Sequence, residues 1–276
     1  MRLSSTDDVT LELHDLGGEG PPLLIAHATG FCGGAYRPMA AHLVDRFHVW
    51  ALDFRGHGDS TTAGDGAMSW RGTGEDVLAA VDAIDAGPVF GFGHSMGGAS
   101  LMVAELMRPG TVTRAFLYEP IIFPKEWGDG GITNNPLAAS ARRRRPTFAS
   151  RQEALARYAS RPPLGTFRAD VLSAYVEHGF ADAPDGTVTL KCSPEHEAAT
   201  YEAPDKPAVD EMAAIDSAVV VASGARDPGP GPAHFAPLVA EALPHGELRV
   251  YAHLGHFGPL QDPATLADDA AAFLLA

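Results

Sequence analysis

Residues 9–13 (VTLEL) alternate apolar and polar positions, the two-residue period of a strand with one buried face. Residues 23–26 (LLIA), 47–52 (FHVWAL), 89–92 (VFGF), 114–118 (RAFLY), 218–222 (AVVVA) and 247–251 (ELRVY) are short, mostly apolar runs that suit strands within a sheet. Between them the spacing changes to that of helices. Tyr36, Met39, Ala40 and Leu43 share one helical face, as do Val77, Leu78, Val81 and Ile84. Residues 97–107, 233–243 and 263–275 read as further helices. Strands that alternate with helices predict a mainly parallel, doubly wound α/β sheet with helices on both faces.

Residues 120–213 break this rhythm. They hold many prolines, helix-like pieces at 151–160 and 169–178, and no long apolar strand. The expectation is a core of two parts, 1–119 and 214–276, with 120–213 inserted as a mostly helical subdomain. The four consecutive arginines Arg142 to Arg145 read as a solvated or partner-facing surface of that insert.

The strongest chemical signal is Gly93-His94-Ser95-Met96-Gly97, between the run VFGF and a predicted helix. A G-x-S-x-G sequence in a strand–turn–helix context lifts a serine hydroxyl onto a sharp turn above the sheet. Small residues two positions either side are required because the bent backbone comes close to other chain. The amide of Met96 then points to where an oxyanion develops. A serine hydroxyl needs a base. Of the twelve histidines, His256 in Leu254-Gly255-His256-Phe257-Gly258-Pro259 is the best placed, on a glycine-rich loop after the last strand. That loop opens on the same carboxyl edge of the sheet as Ser95. His253 lacks the flanking glycines.

The imidazole needs an acid. Two candidates follow strands: Asp227, in Ser223-Gly224-Ala225-Arg226-Asp227-Pro228, and Glu119, directly after RAFLY. Asp227 is the expected orienter of His256, which leaves Glu119 as a pocket residue. His27 and Phe257 are also expected to line the pocket, and Trp127, Phe148 and Tyr175 are candidates either for the pocket or for the core of the insert.

With these residues in place, the chain resembles the α/β-hydrolase superfamily over 9–119 and 214–276. The order Ser95, Asp227, His256 is the order of that fold. The stretch Asp53-Phe54-Arg55-Gly56-His57-Gly58-Asp59-Ser60 is similar to one found in members that carry a cap, where its role is mostly structural. The resemblance implies that the insert is a helical lid. It also implies a second oxyanion amide from the His27 loop. Here the order His27-Ala28-Thr29-Gly30-Phe31 departs from the usual His-Gly step and leaves Thr29 and Phe31 both open as its source. The implied chemistry is hydrolysis of a small carboxylic ester, lactone or thioester through an acyl-enzyme. The alternatives on the same fold are C–C bond hydrolysis of a diketone-like substrate and a receptor-like ligand binder with slow turnover.

Composition narrows the setting. The formal net charge of −15 disfavours nucleic acid and anionic membranes as partners. The two cysteines, Cys32 and Cys192, are far apart in sequence and suit free thiols in a reducing compartment. No basic start followed by an apolar run marks a signal peptide, and no run is long enough to span a bilayer. The expectation is a cytoplasmic protein acting on a small molecule without metal or organic cofactor. The sequence leaves its oligomeric state open.

Overall fold

The computed structural model describes residues 1–64, 66–128, 135–225 and 231–276. Eight strands form one sheet: β1 (Arg2–Ser4), β2 (Thr10–Gly17), β3 (Pro22–Ala26), β4 (His48–Asp53), β5 (Val89–His94), β6 (Val112–Tyr118), β10 (Ala218–Ser223) and β11 (Gly246–Val250). Their order across the sheet is β1-β2-β4-β3-β5-β6-β10-β11. From β4 to β11 every pairing is parallel, and β1 and β2 add an antiparallel edge. The apolar runs give this result because both faces of the central strands are covered. Leu23, Ile25, Phe92, Phe116, Val220 and Ala222 face one hydrophobic layer, and Leu24, Ala26, Leu117, Val219 and Val221 face the other.

Helices α1 (Arg37–Ala40), α2 (Trp70–Ile84), α3 (Met96–Met107), α9 (Pro232–Ala242), α10 (Gly258–Gln261) and α11 (Pro263–Leu274) cover the sheet. The helix expected over 36–46 is only four residues long as an α-helix, preceded by a 3₁₀ turn at Gly33–Tyr36. Helix α2 starts before its apolar stripe because Ser69 caps it, accepting from the Gly72 amide. It ends where Asp85 turns left-handed at φ 51°.

Between β6 and β10 the chain leaves the large sheet. The described residues there form α4 (Lys125–Gly128), α5 (Pro136–Arg142), α6 (Arg151–Ala159), α7 (Ala169–His178) and α8 (Pro194–Glu202). They also form a small antiparallel sheet of β7 (Thr147–Phe148), β8 (Phe180–Asp182) and β9 (Val188–Leu190), in the order β7-β9-β8. These strands are two or three residues long, too short to give the sequence a periodic signal.

Candidate active site

The turn from β5 into α3 places Ser95 at φ 55° and ψ −114°, a strained conformation for a residue with a side chain. Neighbouring chain fixes it there: the Ser95 amide donates to the Tyr118 carbonyl at 2.9 Å, and the Ile121 amide donates to the Ser95 carbonyl. A Cβ at Gly97 would lie 2.1 Å from the Ala26 carbonyl oxygen, and one at Gly93 would lie 2.5 Å from Gly98 Cα. The two glycines are therefore demanded by close approach of backbone.

His256 Nε2 lies 3.1 Å from Ser95 Oγ, and its Nδ1 lies 2.6 Å from Glu119 Oε2. With Nδ1 donating to the carboxylate, Nε2 is left to accept the Ser95 hydroxyl proton. Glu119 itself sits at φ 45°, with its amide bonded to the Ala222 carbonyl and Oε1 accepting from the Gly224 amide at 2.9 Å. Its neighbour Tyr118 donates to the Gly255 carbonyl at 2.9 Å. The end of β6 thus grips the His256 loop at two successive residues.

Asp227, expected in the place Glu119 occupies, lies outside the described residues. The acid on His256 Nδ1 is Glu119, a residue expected to line the pocket. The reason is topological. β6 is the direct neighbour of β5, so one residue past its end already stands beside the serine turn.

A second hydrogen-bonded chain runs beneath the first. The Ala28 amide donates to Tyr36 Oη at 3.2 Å, and Tyr36 donates to His94 Nδ1 at 2.7 Å. His94 Nε2 then donates to the His256 carbonyl at 2.8 Å. Burial pushes the His94 imidazole well below its ordinary pKa, which suits the neutral tautomer this chain needs. Sequence reading missed Tyr36 and His94, although His94 stands inside the serine motif.

Two segments, the start of α3 and the His27 loop, hold the backbone amides expected to bind an oxyanion. Met96 is the first residue of α3, so its amide has no partner within the helix. In the His27 loop the Phe31 amide donates to the Ala28 carbonyl at 3.1 Å, closing a turn about Gly30 at φ 80°. Among the described residues the Thr29 amide has no such partner. The Phe31 amide is thus already spent within the loop.

His27, expected in the pocket, is a brace instead. Its Nδ1 donates to the Ala28 carbonyl, and its Nε2 accepts from the Phe54 amide. Both ring nitrogens are thus spent on backbone, and burial lowers the ring's pKa. Trp127 is about half exposed and packs edge-on against Phe235. Phe257 does join those rings, with centroids 5.2 Å from His256, 5.8 Å from Phe31 and 5.4 Å from Phe167. Phe148 packs inside the insert against Tyr158 and Phe180.

The insert reaches the same loop. Tyr175 packs on Phe31 with centroids 4.9 Å apart and donates to the Gly30 carbonyl at 3.3 Å. Arg144 bonds Glu197 and donates to Tyr175 Oη at 2.7 Å. Of the four arginines expected on a solvated face, Arg142, Arg143 and Arg145 are exposed and Arg144 is not. Its partner Glu197 is 53 positions away, so no local pattern announces the burial.

The stretch from Asp53 to Ser60 is a structural hub. Asp53 accepts from the amides of Gly33 and Asp59, and Arg55 makes paired bonds to Asp76. His57 donates from Nδ1 to the Arg55 carbonyl, and burial lowers its pKa to about 3. Cys32 and Cys192 are buried free thiols whose pKa values burial raises. Among the described residues no helix is long and apolar enough to cross a membrane.

Residues 23–269 match the Alpha/beta hydrolase family, and the chain belongs to it. Particular relatives are more distant. A stretch of 102 residues is 31% identical to (E)-2-((N-methylformamido)methylene)succinate hydrolase of Acinetobacter baylyi, covering 35% of this chain and 36% of that protein. Another, of 101 residues, is 33% identical to protein phosphatase methylesterase 1 of Mus musculus, covering 35% and 26%. A third, of 98 residues, is 32% identical to the pimeloyl-[acyl-carrier protein] methyl ester esterase of Methylococcus capsulatus, covering 36% of each chain. The matches thus span between about a quarter and a little over a third of these relatives. The fold is also that of E-2-(acetamidomethylene)succinate hydrolase, with a TM-score of 0.80 at 20% identity over 100% of this chain and 98% of that one. The enol-lactonase from Burkholderia xenovorans gives 0.72 at 21% identity over the whole of both chains.

Proposed function

We propose that this hydrolase cleaves a small carboxylic ester, lactone or thioester through an acyl-enzyme on Ser95. The observation that carries the reading is the continuous relay Ser95 Oγ, His256 and Glu119, at 3.1 and 2.6 Å. His256 Nε2 takes the proton as Oγ bonds to the substrate carbonyl carbon. Glu119 keeps the ring in the tautomer that can accept it and stabilises the imidazolium that forms. The carbonyl oxygen, now an anion, is held by the amides of Met96 and Thr29. Collapse of the intermediate breaks the bond to the leaving oxygen or sulfur, which receives the proton from His256. Water then attacks the acyl-enzyme by the same relay and frees the acid and Ser95. The residues from 120 to 213 act as a cap that, through Tyr175, rests on the oxyanion loop. Two of the curated relatives are named as methyl esterases, which supports an ester substrate.

Turnover of p-nitrophenyl esters of graded chain length tests this. The expected result is saturable hydrolysis with short acyl chains favoured, abolished in Ser95→Ala. Binding of the esters without turnover beyond that of Ser95→Ala would instead point to a ligand-binding protein.

A further inference from the structure

Two of the large apolar side chains that this chain leaves exposed, Leu248 and Val250, lie on the terminal strand at one edge of the large sheet. β11 is the terminal strand there, and all of its residues except Arg249 are exposed. Its inner side is fixed by parallel pairing: the His245 carbonyl accepts from the Val219 amide, and the Tyr251 amide donates to the Ser223 carbonyl. The odd-numbered residues therefore turn their backbone groups inward. By the alternation of a strand, Leu248 and Val250 turn theirs outward. So does the Gly246 carbonyl, while the Gly246 amide is spent on Leu243.

The side chains sort by face. Leu248 lies beside Val221 in register, and Val221 packs with Ala236 and Val239 of α9. Leu248 and Val250 thus stand on the α9 face of the sheet. On the opposite face Arg249 bonds Glu247 at 2.7 Å and lies over the Phe273 ring at 5.6 Å.

We infer that this edge pairs with a second copy of the chain, antiparallel, about a two-fold axis at Leu248. In that register Gly246-Glu247-Leu248-Arg249-Val250 is its own complement. Leu248 meets the partner's Leu248, and Val250 meets the partner's Gly246, which has no side chain to oppose it. Glu247 meets the partner's Arg249, on both sides of the axis. The outward groups match too: each Leu248 amide donates to the partner's Leu248 carbonyl, and each Val250 amide donates to the partner's Gly246 carbonyl. The pairing joins the two sheets into one and brings Leu248 and Val250 of both copies together on one face. Such an isologous contact closes on itself. An open edge strand without proline is a template for pairing. The charge balance favours this site for a second copy. The molecule carries a net −15, yet β11 holds one acid and one base.

Sedimentation velocity of the full chain, from sub-micromolar to tens of micromolar, tests the inference. A concentration-dependent monomer–dimer equilibrium is expected. Leu248→Asp should be monomeric throughout, with unchanged circular dichroism and ester turnover. Should Leu248→Asp lose its fold, Val250→Lys, at a more exposed position, carries the same expectation. Arg249→Glu should weaken dimerisation about tenfold through two new like-charge contacts, and adding Glu247→Arg should restore it. A wild-type chain monomeric at every concentration would overturn the inference. So would a dimer that folded Leu248→Asp and Val250→Lys proteins form as readily as the wild type.

Discussion

Glu119 Oε2 and His256 Nδ1 lie 2.6 Å apart although the two residues are 137 positions apart in sequence. The contact is possible because β6 ends beside the serine turn and because a left-handed backbone at Glu119 swings its side chain toward the His256 loop. Glu119→Gln keeps the size of the side chain and removes the charge that stabilises the imidazolium. We predict that kcat for an ester falls by roughly 10³-fold, with KM changed little. Asp227→Asn should cost far less. Steady-state kinetics of the two variants, with circular dichroism as a folding control, checks the assignment. The reverse ranking would return the role to Asp227.

Tyr36 joins the oxyanion loop to His94 and so to the backbone of His256. Tyr36→Phe leaves a buried amide and a buried ring nitrogen without partners, a loss of about 1–3 kcal/mol for each group left unsatisfied. Thermal unfolding should shift down by several degrees. Activity should fall as well, because both ends of the broken chain lie at the site. An unchanged melting temperature would show that the hydroxyl does not join them.

The Arg144–Glu197 pair calls for a paired test. Arg144→Met strands a carboxylate that is nearly buried, at a cost of about 3–5 kcal/mol. Replacing both, as Arg144→Met with Glu197→Met, should recover most of the stability in urea unfolding. A double variant as unstable as the single one would mean that the arginine acts through packing alone.

The pH dependence of stability follows from His27, His57 and His94, all fully buried and all with lowered pKa values. The unfolded chain takes up protons below pH ~6.5 that the native imidazoles refuse. Their contribution is therefore complete above that pH and is lost as pH falls through the window beneath it. Each such histidine steepens the loss by about 1.4 kcal/mol per pH unit until its native pKa is reached. Urea unfolding should show stability dropping steeply between pH 6.5 and the carboxylate range. A flat curve there would mean that these rings are protonated in the native state.

Much of this was legible in the sequence, because the strongest signals are local. The apolar runs of β3, β5, β6 and β10, and the glycines at positions 93 and 97, each encode burial or close approach within a few residues. The unread parts depend on contacts between distant segments. Glu119 and Asp227 both follow strands, and only the spatial order of those strands decides which one meets His256. Arg144 sits in a run whose first and last members are solvated. Its burial comes from Glu197 and Tyr175 on other elements of the insert. That the Phe31 amide is spent within its own loop rests on one turn hydrogen bond, which no residue pattern specifies.

The central claim is that Ser95 is the nucleophile and that His256 draws off its proton. Intact-mass and peptide analysis after exposure to a fluorophosphonate probe tests it most directly. One adduct per chain should appear, mapped to Ser95, absent in Ser95→Ala and formed far more slowly in His256→Ala. Equal labelling of Ser95→Ala, or an adduct mapped to another residue, would contradict the claim.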